Sequence, residues 1–307
     1  MTTPIRSHAY RGDEDFWRVR QLLIDTFPIT PTGLNWEVRR WDGQRFHDPD
    51  PQHNPFAGGR CQLWETATGQ LIAAAHPEGQ GNVHIQIHPD YRHIEDEIFV
   101  WAEEKLTVEK MEGQRVLETY VFTYDALRQS LLTRRGYEKT DDYGVTRRMR
   151  LGQQPLLPPA LAEGYLLATA EPGQIANCQR IADLLNAAFR RDFHTAVEFQ
   201  TFTRLALSYY PELDLVAVAP DGSFAAYVGI AYDAANRYAI FEPVCTHPDH
   251  QRRGLAQALM REGLIRLRAL GAVDVFVGTG DRLAANRLYD SIGFSEVQKC
   301  FAWRKTF

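Results

Sequence analysis

This 307-residue sequence predicts an α/β protein built as two tandem domains, and three observations carry the prediction. Strand-like alternation and helical periodicity take turns along the chain, the pattern of layered α/β units. The length exceeds what one small domain needs. Landmarks also recur at a period of about 160 residues, the signature of an internal duplication. His-Pro-Asp stands at 88–90 and again at 247–249, an offset of 159, and Arg135-Gly136-Tyr137 answers Ile292-Gly293-Phe294 at an offset of 157 (136 to 293).

The elements follow in order. The halves open alike, with an apolar helix ending in Asp25-Thr26-Phe27 or in Ala187-Ala188-Phe189. In the first half the alternating run Val83–Ile87 reads as a strand ending at His-Pro-Asp, and a helical pattern runs from Ile98 to Lys110. Residues Leu151–Pro159 carry Pro155, Pro158 and Pro159 and no periodicity, which marks a seam. The expected division is a domain at 1–150, a linker at 151–163 and a domain at 164–307. In the second half, Tyr165–Ala168 reads as a strand, and Ile175–Phe189 and Ala196–Ser208 as helices. Leu213–Ala219 and Phe224–Ala231 form a hairpin across Pro220-Asp221-Gly222-Ser223, a strong turn signal. Ala239–Thr246 is a strand, Leu255–Ala269 a helix closed by Gly271, Val273–Val277 a strand, Ala284–Ser291 a helix and Phe294–Trp303 a last strand.

Composition narrows the function classes. Hydrophobic residues at 44% and charged residues at 24% are ordinary globular values. A net charge of −5 argues against a general nucleic-acid binder. The N-terminus lacks an apolar targeting core and no run approaches a membrane span, so a cytoplasmic protein without membrane contact is expected. Cys61, Cys178, Cys245 and Cys300 are scattered, in no metal-ligand spacing, and read as reduced thiols; no metal is expected.

The chemistry concentrates between Val244 and Ala256. A buried strand runs into a short turn of basic and small residues, Gln251-Arg252-Arg253-Gly254-Leu255-Ala256, which opens a helix. The first N–H groups of a helix have no partner within it, and the helix dipole adds positive potential there, so such a turn is an anion site. Arg252 and Arg253 add formal charge beside it, and a diphosphate is the natural guest.

At these residues the chain resembles the GNAT (Gcn5-related) N-acetyltransferase superfamily, whose pyrophosphate loop follows Gln/Arg-x-x-Gly-x-Gly/Ala. Gln251, Gly254 and Ala256 match it, and Ala285, Leu288, Tyr289, Gly293 and Phe294 match the second signature, Ala-x-x-Leu-Tyr-x-x-x-Gly-Phe. The resemblance covers residues 164–307. It implies for each half a mixed, mostly antiparallel sheet flanked by helices, and for the second half acetyl-CoA as co-substrate, lying between two splayed parallel strands. Carried over, those strands are Val244-Cys245-Thr246 and Val275-Phe276-Val277; the first offers backbone to the thioester and pantetheine, much as an added strand would pair. Cys245 reads as a small core residue or, alternatively, a covalent participant. Tyr289 is the candidate general acid for the departing thiolate, or else a core tyrosine. Glu242, two residues before Val244 on the same strand, is the candidate general base, or a structural or substrate-binding carboxylate. One departure stands out: Arg282 occupies the place where the family often has Asn, leaving Asn286 as the alternative cofactor contact and Asp281 as the expected cap of the next helix.

The first half departs further. Glu95 and Glu97 stand where the second half has Gly254 and Ala256, and Leu132 where it has Tyr289. Like charges ~4 Å apart repel by roughly 4 kcal/mol at intermediate dielectric, so these carboxylates oppose a diphosphate. The first half is expected to keep the fold and to have lost the cofactor. His84 and His88 read as exposed sheet histidines, and Trp36 and Trp41 as core residues or pocket walls. The function expected is an acetyl-CoA-dependent N-acetyltransferase, moving the acetyl group directly to a primary amine on a small molecule or peptide, in a monomer or homodimer. The alternatives are a thiol-biosynthesis acetyltransferase resembling mycothiol synthase, and a non-catalytic acyl-CoA-binding sensor.

Overall fold

A computed structural model describes residues 4–48, 55–109 and 113–307. The chain forms two compact units that do not follow sequence order: Met1–Trp41, Asn54–Val145 and Gln298–Phe307 make one, and Asp42–His53 with Thr146–Val297 the other. The expected split at 151–163 differs from this in three ways, the first being that Asp42–His53 belongs with the second unit. The last ten residues belong with the first unit, and 146–163 with the second.

The first unit contains β1 (Ile5–Ala9), α1 (Asp13–Thr26), the start of α2 (Val38–Phe46), β2 (Gln62–Thr66), β3 (Leu71–His76), β4 (His84–Ile87), α3 (Glu95–Lys105), β5 (Val108–Glu109), β6 (Arg115–Phe122), α4 (Ala126–Arg134) and the first part of β7 (Glu138–Arg150). Strands β1-β2-β3-β4 form an antiparallel sheet, against which α1 lays Phe16, Val19, Leu22 and Leu23. Asp13, Glu14 and Asp15 favour its N-terminus through the dipole. β4 approaches β6 in parallel at one place, where Val83 N donates to Glu118 O (2.8 Å) and Glu118 N to Gly81 O (2.9 Å); beyond it the two strands lie in separate sheets. α3 begins three residues before the expected Ile98, because a 3-10 turn, Pro89–Ile94, runs straight into it; Lys110 lies outside the described residues.

One expectation for this unit, that of exposed sheet histidines, is corrected. His88 is half-buried rather than exposed, and so is His84, whose ring packs against Trp36 (4.8 Å between centroids). Burial, with Arg40 beside it, pulls the His84 pKa well below the usual range and keeps it neutral. Trp41 is fully buried between Phe16 and Phe56, and Trp36 is buried too, so both are core.

The second unit contains β8 (Leu166–Thr169), α5 (Ile175–Phe189), α6 (Ala196–Leu205), β9 (Leu215–Val218), β10 (Phe224–Asp233), β11 (Tyr238–Thr246), α7 (Leu255–Ala269), β12 (Asp274–Thr279) and α8 (Leu283–Ile292). Its sheet runs β8-β9-β10-β11-β12, antiparallel except for the β11–β12 step, and the end of β7 lies beside β12, where Arg148 pairs with Asp274 at 2.7 Å. Every residue of β10 is buried, as a central strand covered on both faces requires. Val228 and Ile230 pack with Leu259 and Leu264 of α7; Tyr227 packs with Ile181 of α5 and Phe199 of α6. β13 (Glu296–Thr306) is the last strand. From Cys300 to Thr306 it pairs antiparallel with β6, within the first unit, and not with the half of the chain that encodes it.

Candidate active site

The repeated His-Pro-Asp does the same local work twice. His88 Nδ1 accepts from Asp90 N and His247 Nδ1 from Asp249 N, both at 3.3 Å, and each opens a 3-10 turn (Pro89–Ile94, Pro248–His250). After that the halves part.

In the second half the turn breaks. Arg252 and Gly254 take left-handed φ values of 61° and 74°, the alternation that turns successive N–H groups into an anion-binding concavity. Among the described residues, the backbone N–H groups of 252–257 donate to no acceptor, and α7 has no side-chain cap. Gln251, Arg252, Arg253 and Gly254 are exposed; Ala256 is half-buried, and Leu255 anchors the turn by packing into the core. The loop is braced by Tyr165, which sequence reasoning missed: its hydroxyl shares a 2.8 Å hydrogen bond with His250 Nδ1, and the Arg253 guanidinium lies 5.9 Å from its ring.

The loop sits where two parallel strands separate. β11 pairs with β12 from Tyr238↔Asp274 to Phe241↔Val277 and no further, although β11 continues to Thr246. On its other side the pairing with β10 shifts register between Val228 and Ile230, so Glu242 and Pro243 together oppose Gly229. A Cβ on Gly229 would meet Glu242 O at 3.0 Å and Pro243 Cδ at 3.1 Å, which is why glycine stands there. Past this bulge Val244, Cys245 and Thr246 keep their β10 partners while their β12 side is left without a ladder. Cys245 is buried, and burial pushes its thiol up to about 12, a poor nucleophile. Glu242 is exposed.

Tyr289 lies on α8, 5% exposed, against Phe294. Burial pushes its pKa up to about 12, with Arg147 pulling the other way, so the phenol stays protonated. Arg147, from β7, was not foreseen. It donates to Asn286 Oδ1 (2.9 Å), Asp290 Oδ1 (2.6 Å) and Phe294 O (3.1 Å), fixing the turn of α8 that carries Tyr289. Asn286 spends both amide hydrogens on Gly280 O and Arg282 O, each at 3.0 Å. The expected cap fails: α8 starts at Leu283, with Arg282 in the cap position and no side-chain cap bond, so Asp281 stands one residue too early.

The first half has no corresponding turn. The 3-10 bonds continue into α3 (Glu95 N to Arg92 O), and no residue of 89–97 is left-handed. Glu95, 1% exposed, points inward to Arg92 (2.6 Å) and Arg128 (2.9 Å), while Arg92 also holds Asp125. Burial alone would raise the Glu95 pKa, but Arg128 and Arg92 hold it below the usual carboxylate range. Glu97 Oε1 accepts from Trp64 Nε1 at 2.8 Å, and Leu132 is core.

Residues 178–294 match the model of the acetyltransferase (GNAT) family. No curated protein matches the chain. Among solved structures, a GCN5-related N-acetyltransferase from Sphaerobacter thermophilus superposes with a TM-score of 0.62 at 22% identity, covering 99% of this chain and 97% of that one. A tandem GNAT protein from the clavulanic acid biosynthesis pathway superposes with a TM-score of 0.65 at 16% identity, covering 99% and 98%. At these identities the likeness is one of fold. The chain thus carries in residues 178–294 a domain of the GNAT acetyltransferase family, within a fold that it shares along its length with a tandem GNAT protein.

Proposed function

We propose that this protein is an acetyl-CoA-dependent N-acetyltransferase that moves an acetyl group directly to a primary amine, with its chemistry in the second half of the chain. The observation that carries the reading is the row of unpartnered N–H groups at 252–257, set where β11 leaves β12. These amides, with Arg252 and Arg253, suit the diphosphate of the co-substrate. The freed edge of Val244, Cys245 and Thr246 suits its extended amide arm. Tyr289, kept protonated by burial, donates to the departing thiolate, and Glu242 takes a proton from the incoming ammonium. Asn286 serves the site by holding Arg147 and α8. The first half binds no acetyl-CoA.

The test is thiol release from acetyl-CoA with a panel of amines (polyamines, aminoglycosides, amino acids, peptides), beside Gly254→Glu, which places a carboxylate in the anion turn. Release with one amine class, lost in the variant, is expected. Tight acetyl-CoA binding with no release for any amine would point to a sensor instead.

A further inference from the structure

We propose that Tyr227 and Asp214 form a proton relay that takes the second of two protons the acceptor nitrogen must lose; this rests on the acetyltransferase reading above. A primary amine arrives as an ammonium. One proton must leave before the nitrogen can attack, and Glu242 at the exposed edge suits that step. Once the C–N bond has formed, the nitrogen is cationic again and must lose another proton as the C–S bond breaks and its electron pair leaves on sulfur. Tyr289 protonates the sulfur and so cannot also accept from the nitrogen.

The bulge places a second group at this point. The Cβ position of Gly229 lies 2.8 Å from the Tyr227 hydroxyl and 3.0 Å from Glu242 O, so hydroxyl and carbonyl stand no more than 5.8 Å apart. The hydroxyl thus reaches the stretch of β11 that has left β12, on the face covered by α5 and α6. Behind it lies Asp214, 1% exposed. Asp214 Oδ2 accepts from the Tyr209 hydroxyl at 3.0 Å, Tyr227 flanks the same carboxyl group, and Oδ1 is buried without a hydrogen bond. The titratable groups around it are Tyr209, Tyr227, Cys178 of α5 and Glu212; no cation pairs with it among the described residues.

A buried carboxyl without a cation or a full set of donors is a costly arrangement for a purely structural residue. It suits a group that must gain and release a proton. A tyrosine hydroxyl both accepts and donates. As the cationic nitrogen gives its proton to the Tyr227 oxygen, Tyr227 passes its own to Asp214 Oδ1. Asp214 later returns it by the same route to solvent, and the balance is two protons off nitrogen, one onto sulfur and one released. Burial pushes the Asp214 pKa up to about 6, against the two tyrosines, which fits exchange near neutrality.

The experiment measures thiol release from acetyl-CoA, against pH, with the amine that the panel identifies, for wild type, Asp214→Asn, Tyr227→Phe and the double variant, with calorimetry of acetyl-CoA binding. Each single change should lower kcat on the order of 10²-fold without altering acetyl-CoA affinity, and Asp214→Asn should change the low-pH limb. Because either change breaks one chain, the double variant should be no slower than the slower single. Wild-type kcat in Asp214→Asn, or losses that multiply in the double variant, would overturn the relay while leaving the acetyltransferase intact. Absence of thiol release in the wild type would instead remove the parent reading, and the relay with it.

Discussion

The side-chain amide of Asn35 clasps the backbone of Ile87, donating to its carbonyl at 3.0 Å and accepting from its N–H at 2.8 Å. Ile87 precedes the first His-Pro-Asp as Thr246 precedes the second, so Asn35 occupies the strand edge where the second half offers its backbone. Neighbouring contacts hold the segment in place. Trp36 N donates to Gln86 Oε1 (2.8 Å), the Tyr124 hydroxyl donates to Thr32 O (2.9 Å), and Gly33 lies so close under the Phe122 ring that a Cβ would fall 2.2 Å from it. Residues 32–36 thus bridge β4 and β6 beyond the point where those strands part.

One acetyl-CoA per chain is the first prediction. The edge at Ile87 is taken and the amides after His88 are used in 3-10 bonds, so calorimetry should show a single site. Asn35→Ala should cost about 1–3 kcal/mol of stability by orphaning the Ile87 groups, and it should create no second site. Two comparable sites in the wild type would refute the assignment.

Tyr289→Phe should lower kcat on the order of 10²-fold or more, with little change in acetyl-CoA affinity. The ring packs against Phe294 either way, so the fold is preserved. Near-normal turnover would make Tyr289 a packing residue.

Glu242→Gln keeps the size of an exposed side chain and removes its charge. The low-pH limb of kcat/KM should change; an unaltered limb would rule Glu242 out as the base.

Asp214 gives a pH dependence of defined sign. Its folded pKa, about 6, lies above the ordinary 3.8, so the fold favours the neutral acid. The stabilisation this allows is complete below pH ~4 and lost as pH rises through ~6. Asp214→Asn should therefore be the more stable protein above that range, by on the order of 2–3 kcal/mol, with the gap closing toward pH ~4. Superimposable denaturation midpoints at pH 8 would show that burial of the charge is compensated.

The units also predict how the chain can be cut. A fragment 160–307 would lose the end of β7 with Met149, and Leu151 just after it, both in the second unit's core, and would carry Cys300–Thr306 without β6, its partner strand. It should aggregate or remain unfolded. A soluble, cooperatively melting fragment would show that residues 146–151 are dispensable.

Local chemistry was legible in the sequence because it depends on neighbours along the chain. Each His-Pro-Asp dictates its own 3-10 turn, Gly254 supplies a left-handed turn, and helical spacing put Tyr289 on a helix that packs onto the sheet. The boundaries of α5 were read to the residue, since its apolar face repeats at the helical period. By itself the sequence therefore determined the repeated landmarks, the order of strands and helices in the second half, and the left-handed turn at Gly254.

Apart from the β9–β10 hairpin, whose turn residues announce it, only the tertiary structure decided which strand pairs with which, because alternation fixes the face a side chain takes but not the neighbouring edge. That is why β13 belongs with β6, although the second half encodes it. The same limit hid Arg147 beneath α8, Asn35 on Ile87 and the Asp214–Tyr227 pair, each joining residues from separate elements. Glu95 is the clearest case: its charge was visible in the sequence, but its direction was set by Arg92 and Arg128, which turn it inward because a buried carboxylate needs cations around it.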